Sequence, residues 1–204
     1  MIIVGVPSYN ELCPQFVKSL PAAIKCDQIT RIMYKHNLNI CTARNEIAKA
    51  AVDLGASHVF FMDVDMVFPA GTLAKLIDSD KDVIGGYYHR TCTGFSPNAF
   101  VEEKRGFTSK WFSADAGITR VAGLGTGCML IKTKVIAGLK FPWFNYEPNE
   151  ADKRLMTEDI VFGNHVIEAG FELWLDPSIR CGHVGNFIVT PLDDKPTVKI
   201  QSVR

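Results

Sequence analysis

A chain of 204 residues is long enough for one large domain or two small ones around a buried core. Its formal net charge of +0, with 47% hydrophobic and 22% charged residues, is ordinary for a globular protein and argues against nucleic acid or an anionic membrane as main partner. The six cysteines (13, 26, 41, 92, 128 and 181) form no Cys-x-x-Cys pair, so neither a zinc site nor a disulfide framework is expected; reduced thiols in a cytoplasmic protein are. The start, Met-Ile-Ile-Val-Gly-Val-Pro, lacks the basic region of a signal peptide. No apolar run approaches the roughly 18 residues of a membrane span, so no transmembrane anchor is expected.

In chain order, Ile2 to Val6 reads as a buried strand halted by Pro7 and the polar turn Ser8-Tyr9-Asn10-Glu11. A helix is predicted over Pro14 to Ala23, and a second strand over Gln28 to Tyr34. Thr42 is positioned to cap a helix whose Ile47, Ala51 and Leu54 recur at helical spacing, with Gly55 as its C-terminal glycine. After the strand ending at Met62, Leu73, Leu76 and Ile77 mark a third helix, and Asp82 to Tyr87 a fourth strand. Alternating strands and helices imply an α/β fold with a mostly parallel sheet, whose ligands bind outside the carboxyl ends of the strands. Beyond residue 88 the pattern changes to a polar, glycine-containing segment with short antiparallel strands around Asn98–Glu102 and Lys110–Ser113. Gly125-Thr126-Gly127 leads into a strand over Cys128 to Ile131. Thr157 caps a helix running to Ala169, with Glu158 and Asp159 in its first turn, where the macrodipole favours them. Phe171 to Leu175 is a strand closed by Asp176-Pro177, and Thr190 to Arg204 reads as a loose tail.

The chemistry concentrates at the third strand. Val59 to Met62 runs directly into Asp63-Val64-Asp65. Two carboxylates at the end of a buried strand are costly unless a cation meets them. On a strand, residues two apart share a face, so Asp63 and Asp65 could converge on one ion, and hard oxygen ligands suit Mg²⁺ or Mn²⁺ shared with phosphates. The alternative is a polar turn that caps the next helix. Arg44, read as lying in a first helical turn, is electrostatically misplaced unless an anion sits against it, either a phosphate or a carboxylate.

Val4-Gly5-Val6-Pro7-Ser8-Tyr9-Asn10, Ala43-Arg44-Asn45 and Asp63-Val64-Asp65 together resemble the donor half of a GT-A-fold glycosyltransferase. Gly125-Thr126-Gly127, Thr157-Glu158-Asp159 and Cys181-Gly182-His183-Val184-Gly185 then follow in the order of that fold's acceptor half. The resemblance implies one GT-A-like, Rossmann-type domain over 1–187, with a nucleotide-sugar half (1–88), an acceptor half (89–187) and a tail (188–204). It implies transfer of a sugar from a UDP- or GDP-sugar to a hydroxyl acceptor, most readily a glycan. Asp63, Asp65 and His183 would hold Mn²⁺ or Mg²⁺, with Asp65 carrying most of the coordination. Pro7, Tyr9, Asn10, Glu11, Arg44 and Val64 would join the aspartates in holding the donor. Asp159 would be the general base, and Glu158 would orient the acceptor. Gly125, Thr126, Gly127 and Trp143 would line the acceptor side, with Trp111 and Tyr146 as further stacking platforms. Asp27, the one separate aspartate ahead of Arg44 that might read the base, lies before the second strand rather than after it. Two other classes share these features: a nucleotidyltransferase with a metal-binding carboxylate pair, and a non-catalytic sugar- or metal-binding module. The first would want a glycine- and lysine-rich loop after the first strand, and Pro7-Ser8-Tyr9-Asn10 is not one.

Overall fold

The computed structural model describes residues 1–9, 11–28, 30–90, 94–103, 106–149, 153–192 and 198–203. The first part of the chain forms β1 (Ile2–Ser8), α1 (Pro14–Ala23), β2 (Thr30–His36), α2 (Ile40–Asp53), β3 (His58–Met62), β4 (Met66–Val67), α3 (Thr72–Asp78) and β5 (Val83–Tyr87). Next come β6 (Ala99–Glu103), β7 (Gly106–Ser109), β8 (Thr119–Val121), β9 (Gly123–Leu124), β10 (Cys128–Lys132) and α4 (Thr133–Gly138). Last are β11 (Glu147–Pro148), β12 (Leu155–Met156), α5 (Glu158–Glu168), β13 (Leu173–Arg180), β14 (Gly182–Val184), β15 (Phe187–Pro191) and β16 (Val198–Ser202). No helix among the described residues is long and apolar enough to cross a membrane.

The α/β expectation holds, but the main sheet is mixed. Its order is β2-β1-β3-β10-β5-β13-β8. β1 pairs in parallel with β2 and β3, and β5 with β13. β10 runs antiparallel between β3 and β5, and β8 antiparallel along β13. β3 is apolar along almost its whole length because it is covered on both faces. Phe61 belongs to one core cluster with Ile47, Phe144 and Phe162, and Phe60 and Met62 to the other with Phe16, Leu73 and Leu130.

Several element ends differ from the sequence reading. β1 continues through Pro7 to Ser8, which pair with Lys35 and His36 of β2. The missing N–H of Pro7 is tolerated because β3 pairs with β1 only as far as Gly5. α2 starts before Thr42: Asn39 is its N-cap, and its side chain accepts from the Thr42 N–H at 2.9 Å. Arg44 therefore sits in the second turn, and the macrodipole argument for an anion beside it falls away. β13 runs on past Asp176-Pro177 to Arg180 through an irregularity in its pairing with β5. The expected loose tail holds β16 and the end of β15, and these strands join β14 and β4 in a four-stranded antiparallel sheet in the order β16-β15-β14-β4. β15 shows no clean alternation of apolar and polar residues, and Pro191 ends it. α4 carried no clear sequence signal.

Candidate functional site

β3 ends at Met62, and Asp63 to Met66 is a tight turn closed by the Met66 N–H on the Asp63 carbonyl at 3.2 Å. The period-two argument for the aspartates therefore fails, since neither lies on a strand, and the two carboxylates find different partners. The Asp63 carboxylate accepts both its hydrogen bonds from Arg44 Nη2, at 2.9 and 3.0 Å. Arg44, only 3% exposed, also bonds Glu158 through Nη1. The guanidinium thus ties α2 to the turn after β3 and to the first residue of α5. Burial works against its charge, but Asp63, Glu158 and Asp159 hold it protonated. Burial raises the Glu158 carboxyl above its usual value, with Arg44 opposing and Asp159 adding to the shift. Burial likewise raises Asp63, against Arg44 and with Asp65. Two carboxylates of the chain itself are thus the anions beside Arg44.

Asp65, about half exposed, faces His183 instead, with Oδ2 at 3.2 Å from Nε2. His183 Nδ1 lies 3.1 Å from the His89 carbonyl, which can only accept, so Nδ1 carries a proton. In the neutral ring, the Nε2 lone pair and a carboxylate lone pair then point at each other, and a cation between them is required: a proton or a metal ion. Burial opposes a charged His183, but the bond to Asp65 outweighs it and raises its pKa. The pairing of β14 with β4, His183 opposite Met66, sets this geometry, and the Val184 N–H on the Asp65 carbonyl at 2.7 Å fixes it. Among the described residues, no group of three or more His, Cys, Asp and Glu side chains is placed to hold a metal ion. A metal here would take two protein ligands and complete its shell from phosphate oxygens and water.

Asp63, Val64 and Asp65 line a cleft of about 330 Å³ at the carboxyl ends of β1 and β3, together with Pro7, Tyr9 and Glu11. The structure thus brings together most of the donor residues expected from sequence; Asn10 lies outside the described residues. Tyr9 is 71% exposed, with its ring open to a ligand. Cys13, Leu38 and Ile40 also line the cleft and were missed, having no chemical signature in sequence. Asp27 lines a different pocket, with Ala74 and Asp78.

The acceptor expectations divide. Asp159 is half-buried at the start of α5, and its Oδ1 is occupied by the Thr157 hydroxyl and the Ile160 N–H. Thr157 occupies the N-cap position but makes no side-chain capping bond. The other Asp159 oxygen takes no bond from the described residues. Burial, with the nearby Glu158 carboxylate adding to it, raises the pKa of Tyr146. Gly125, Thr126 and Gly127 are buried under the site rather than open to it. A Cβ on Gly127 would meet Tyr88 Oη at 3.0 Å and Asp63 Oδ2 at 3.2 Å, and one on Gly125 would strike the same phenol. These glycines let the backbone pass beneath Tyr88, whose hydroxyl accepts the Gly127 N–H at 3.2 Å. Thr126 Oγ1 is buried with no partner among the described residues. Trp143 is not a platform: it is 8% exposed, its indole N–H bonds the Leu139 carbonyl, and Trp111 packs partly buried on the same core. Asn45 holds the neighbouring backbone, accepting from the Trp143 and Phe144 N–H groups and donating to the Phe144 carbonyl.

No protein-family model matches this chain, and no curated protein does. Among solved structures, A197 from STIV has the same fold, with a TM-score of 0.70 and 18% identity over 98% of this chain and 94% of A197.

Proposed function

We propose that this chain is a divalent-metal-dependent glycosyltransferase on a GT-A-like fold, moving a sugar from a UDP- or GDP-sugar to a hydroxyl, with a glycan as the first candidate acceptor. The observation that carries this reading is the Asp65–His183 pair at the edge of the cleft at the sheet's carboxyl ends. Asp65 Oδ2 and His183 Nε2, 3.2 Å apart with Nδ1 turned to the His89 carbonyl, offer one oxygen and one nitrogen to a divalent ion that displaces the proton between them. The mixed oxygen and nitrogen set favours Mn²⁺ over Mg²⁺. An ion bound there would neutralise the charge that builds on the departing diphosphate.

The remaining chemistry belongs to the chain. Tyr9 and Glu11 border the space for the nucleoside, and the turn Asp63 to Asp65 forms its floor. In the transfer, the acceptor oxygen bonds to the anomeric carbon and the carbon–oxygen bond to the diphosphate breaks. The free oxygen of Asp159 takes the hydroxyl proton, while Thr157 and the Ile160 N–H fix the other oxygen and hence the orientation of the carboxylate. Glu158 is largely committed to Arg44, so its part is to hold Asp159's helix against the turn.

A thermal-shift screen of UDP-, GDP-, CMP- and TDP-sugars, each with Mn²⁺ and with EDTA, tests the reading. One nucleotide should raise the melting temperature only with metal, and Asp65→Ala should abolish the rise. Asp159→Asn should keep the rise and lose turnover. No shift with any donor would overturn the proposal; a shift in wild type without turnover would move it to a binding module.

A further inference from the structure

A second cavity, of about 490 Å³, lies beside α5, away from the donor cleft. That volume is within the range of small-ligand sites. Its lining includes Lys140, Phe141, Asn145, Glu147, His165 and Glu168. Phe141 is 59% exposed, yet its ring is held edge-on against Trp143, with centroids 5.2 Å apart at 88°. An aromatic ring that is both open and held in place offers a flat apolar face. Around it stand an amide, an ammonium group, two carboxylates and an imidazole, with Glu147 Oε1 at 3.7 Å from His165 Nε2. Mixed charge signs do not select an ion. An apolar face ringed by donors and acceptors suits a neutral ligand with C–H on its faces and hydroxyls on its edge, which describes a sugar ring.

The position links this cavity to the proposed reaction. His165 follows Glu158 by seven residues, so both lie on one side of α5, about 10 Å apart along its axis. The segment from Phe141 to Glu147 runs beside that helix. Tyr146 lies close enough to Glu158 to feel its charge, and Glu147 meets His165 further along. Asn45 clamps the backbone at Trp143 and Phe144, so the segment is held by α2. We infer that this cavity is a saccharide-binding subsite, taking a neutral sugar ring of an acceptor chain whose reacting hydroxyl lies at Asp159. The role as acceptor subsite rests on the transferase reading; saccharide binding itself does not.

Saturation-transfer NMR on the full chain, with short neutral oligosaccharides of glucose, galactose, mannose and N-acetylglucosamine as probes, tests it. At least one series should bind, and Phe141→Ala should weaken that binding about tenfold through loss of the stacking face. Glu147→Gln should weaken it as well, while Asp65→Ala should leave it intact. Phe141 is too exposed for its truncation to threaten folding. No binding by any series, or binding that both cavity variants leave unchanged, would overturn the subsite even if the donor screen succeeds. Binding that depends on Phe141 in a chain that shifts with no donor would keep the subsite and remove the transferase reading.

Discussion

Removing the Arg44 guanidinium would leave the buried Glu158 and the half-buried Asp63 without their cation, and this makes the residue a sharp test of the site. Arg44→Met should cost about 3–5 kcal/mol, because the loss is the uncompensated charge of Asp63 and Glu158 rather than the net worth of the pair. The loss should grow with pH. Burial raises both carboxyls in the folded state, and Arg44 is the cation that opposes this. Without it, the folded values rise further above the ordinary 3.8 and 4.5. A raised folded value contributes stability that is present below the unfolded value and lost as pH rises through the folded one. Urea titrations near pH 5 and pH 8 should therefore show a wider gap between wild type and variant at pH 8; an equal gap at both would show that the carboxylates are not the cause. The glycines under the site give a second residue-level test. Gly125→Ala should destabilise by forcing Tyr88 aside, and should cost less in a Tyr88→Phe background, where the hydroxyl it strikes is gone. The coupling in a double-mutant cycle reads this directly, and additive effects would place the clash elsewhere. Both residue types were visible in sequence, but their partners were not. Nothing local in the sequence said that Asp63 and a carboxylate 114 positions after Arg44 would be its partners.

At the scale of elements, the periodic helices were legible and their ends were not. The apolar repeat in α2 becomes regular only from Ile47, so nothing in its period distinguishes a start at Asn39 from one at Thr42. Both are capping residue types; the structure assigns the cap to Asn39. Asn39→Ala should lower stability by about 1 kcal/mol, and Thr42→Ala, which keeps the backbone donor, by much less. For a chain of this size the first loss corresponds to roughly 2–4 °C in melting temperature, within reach of calorimetry. Equal losses would return the cap to Thr42. The pair β15 and β16 shows the opposite limit. Their identity as strands depends on β14 and β4, and β4 is more than 100 residues away in sequence, so local pattern could not reveal them. His183 and Asp65 each stand in a stretch legible from residue type alone, whereas their pairing, 118 positions apart, is not.

For the whole molecule, the decisive feature is where β10 sits. The sequence changes character after residue 88, where alternating strands and helices give way to a polar, glycine-containing stretch within one expected domain. The sheet does not respect that division. β3 and β5 both come from the first half, yet they do not touch as neighbours, because β10 from the second half is hydrogen-bonded between them. β13, also from the second half, covers the other edge of β5. Arg44 adds a buried ion pair across the same division, from α2 to Glu158. A fragment of residues 1–88 would therefore keep β2-β1-β3 as a three-stranded sheet with an open apolar edge, leave β5 without any strand to pair with, and bury neither Phe61 nor Ile84 as the full chain does. Such a fragment should lack a cooperative melting transition and should aggregate, while the full chain should unfold in one step. Circular dichroism and tryptophan fluorescence, followed together through a urea titration, decide the matter. Coincident curves for the full chain are required by the interleaved sheet. Two separated transitions, or a folded 1–88 fragment, would mean that β10 is an addition to a preformed N-terminal half rather than the strand that completes it.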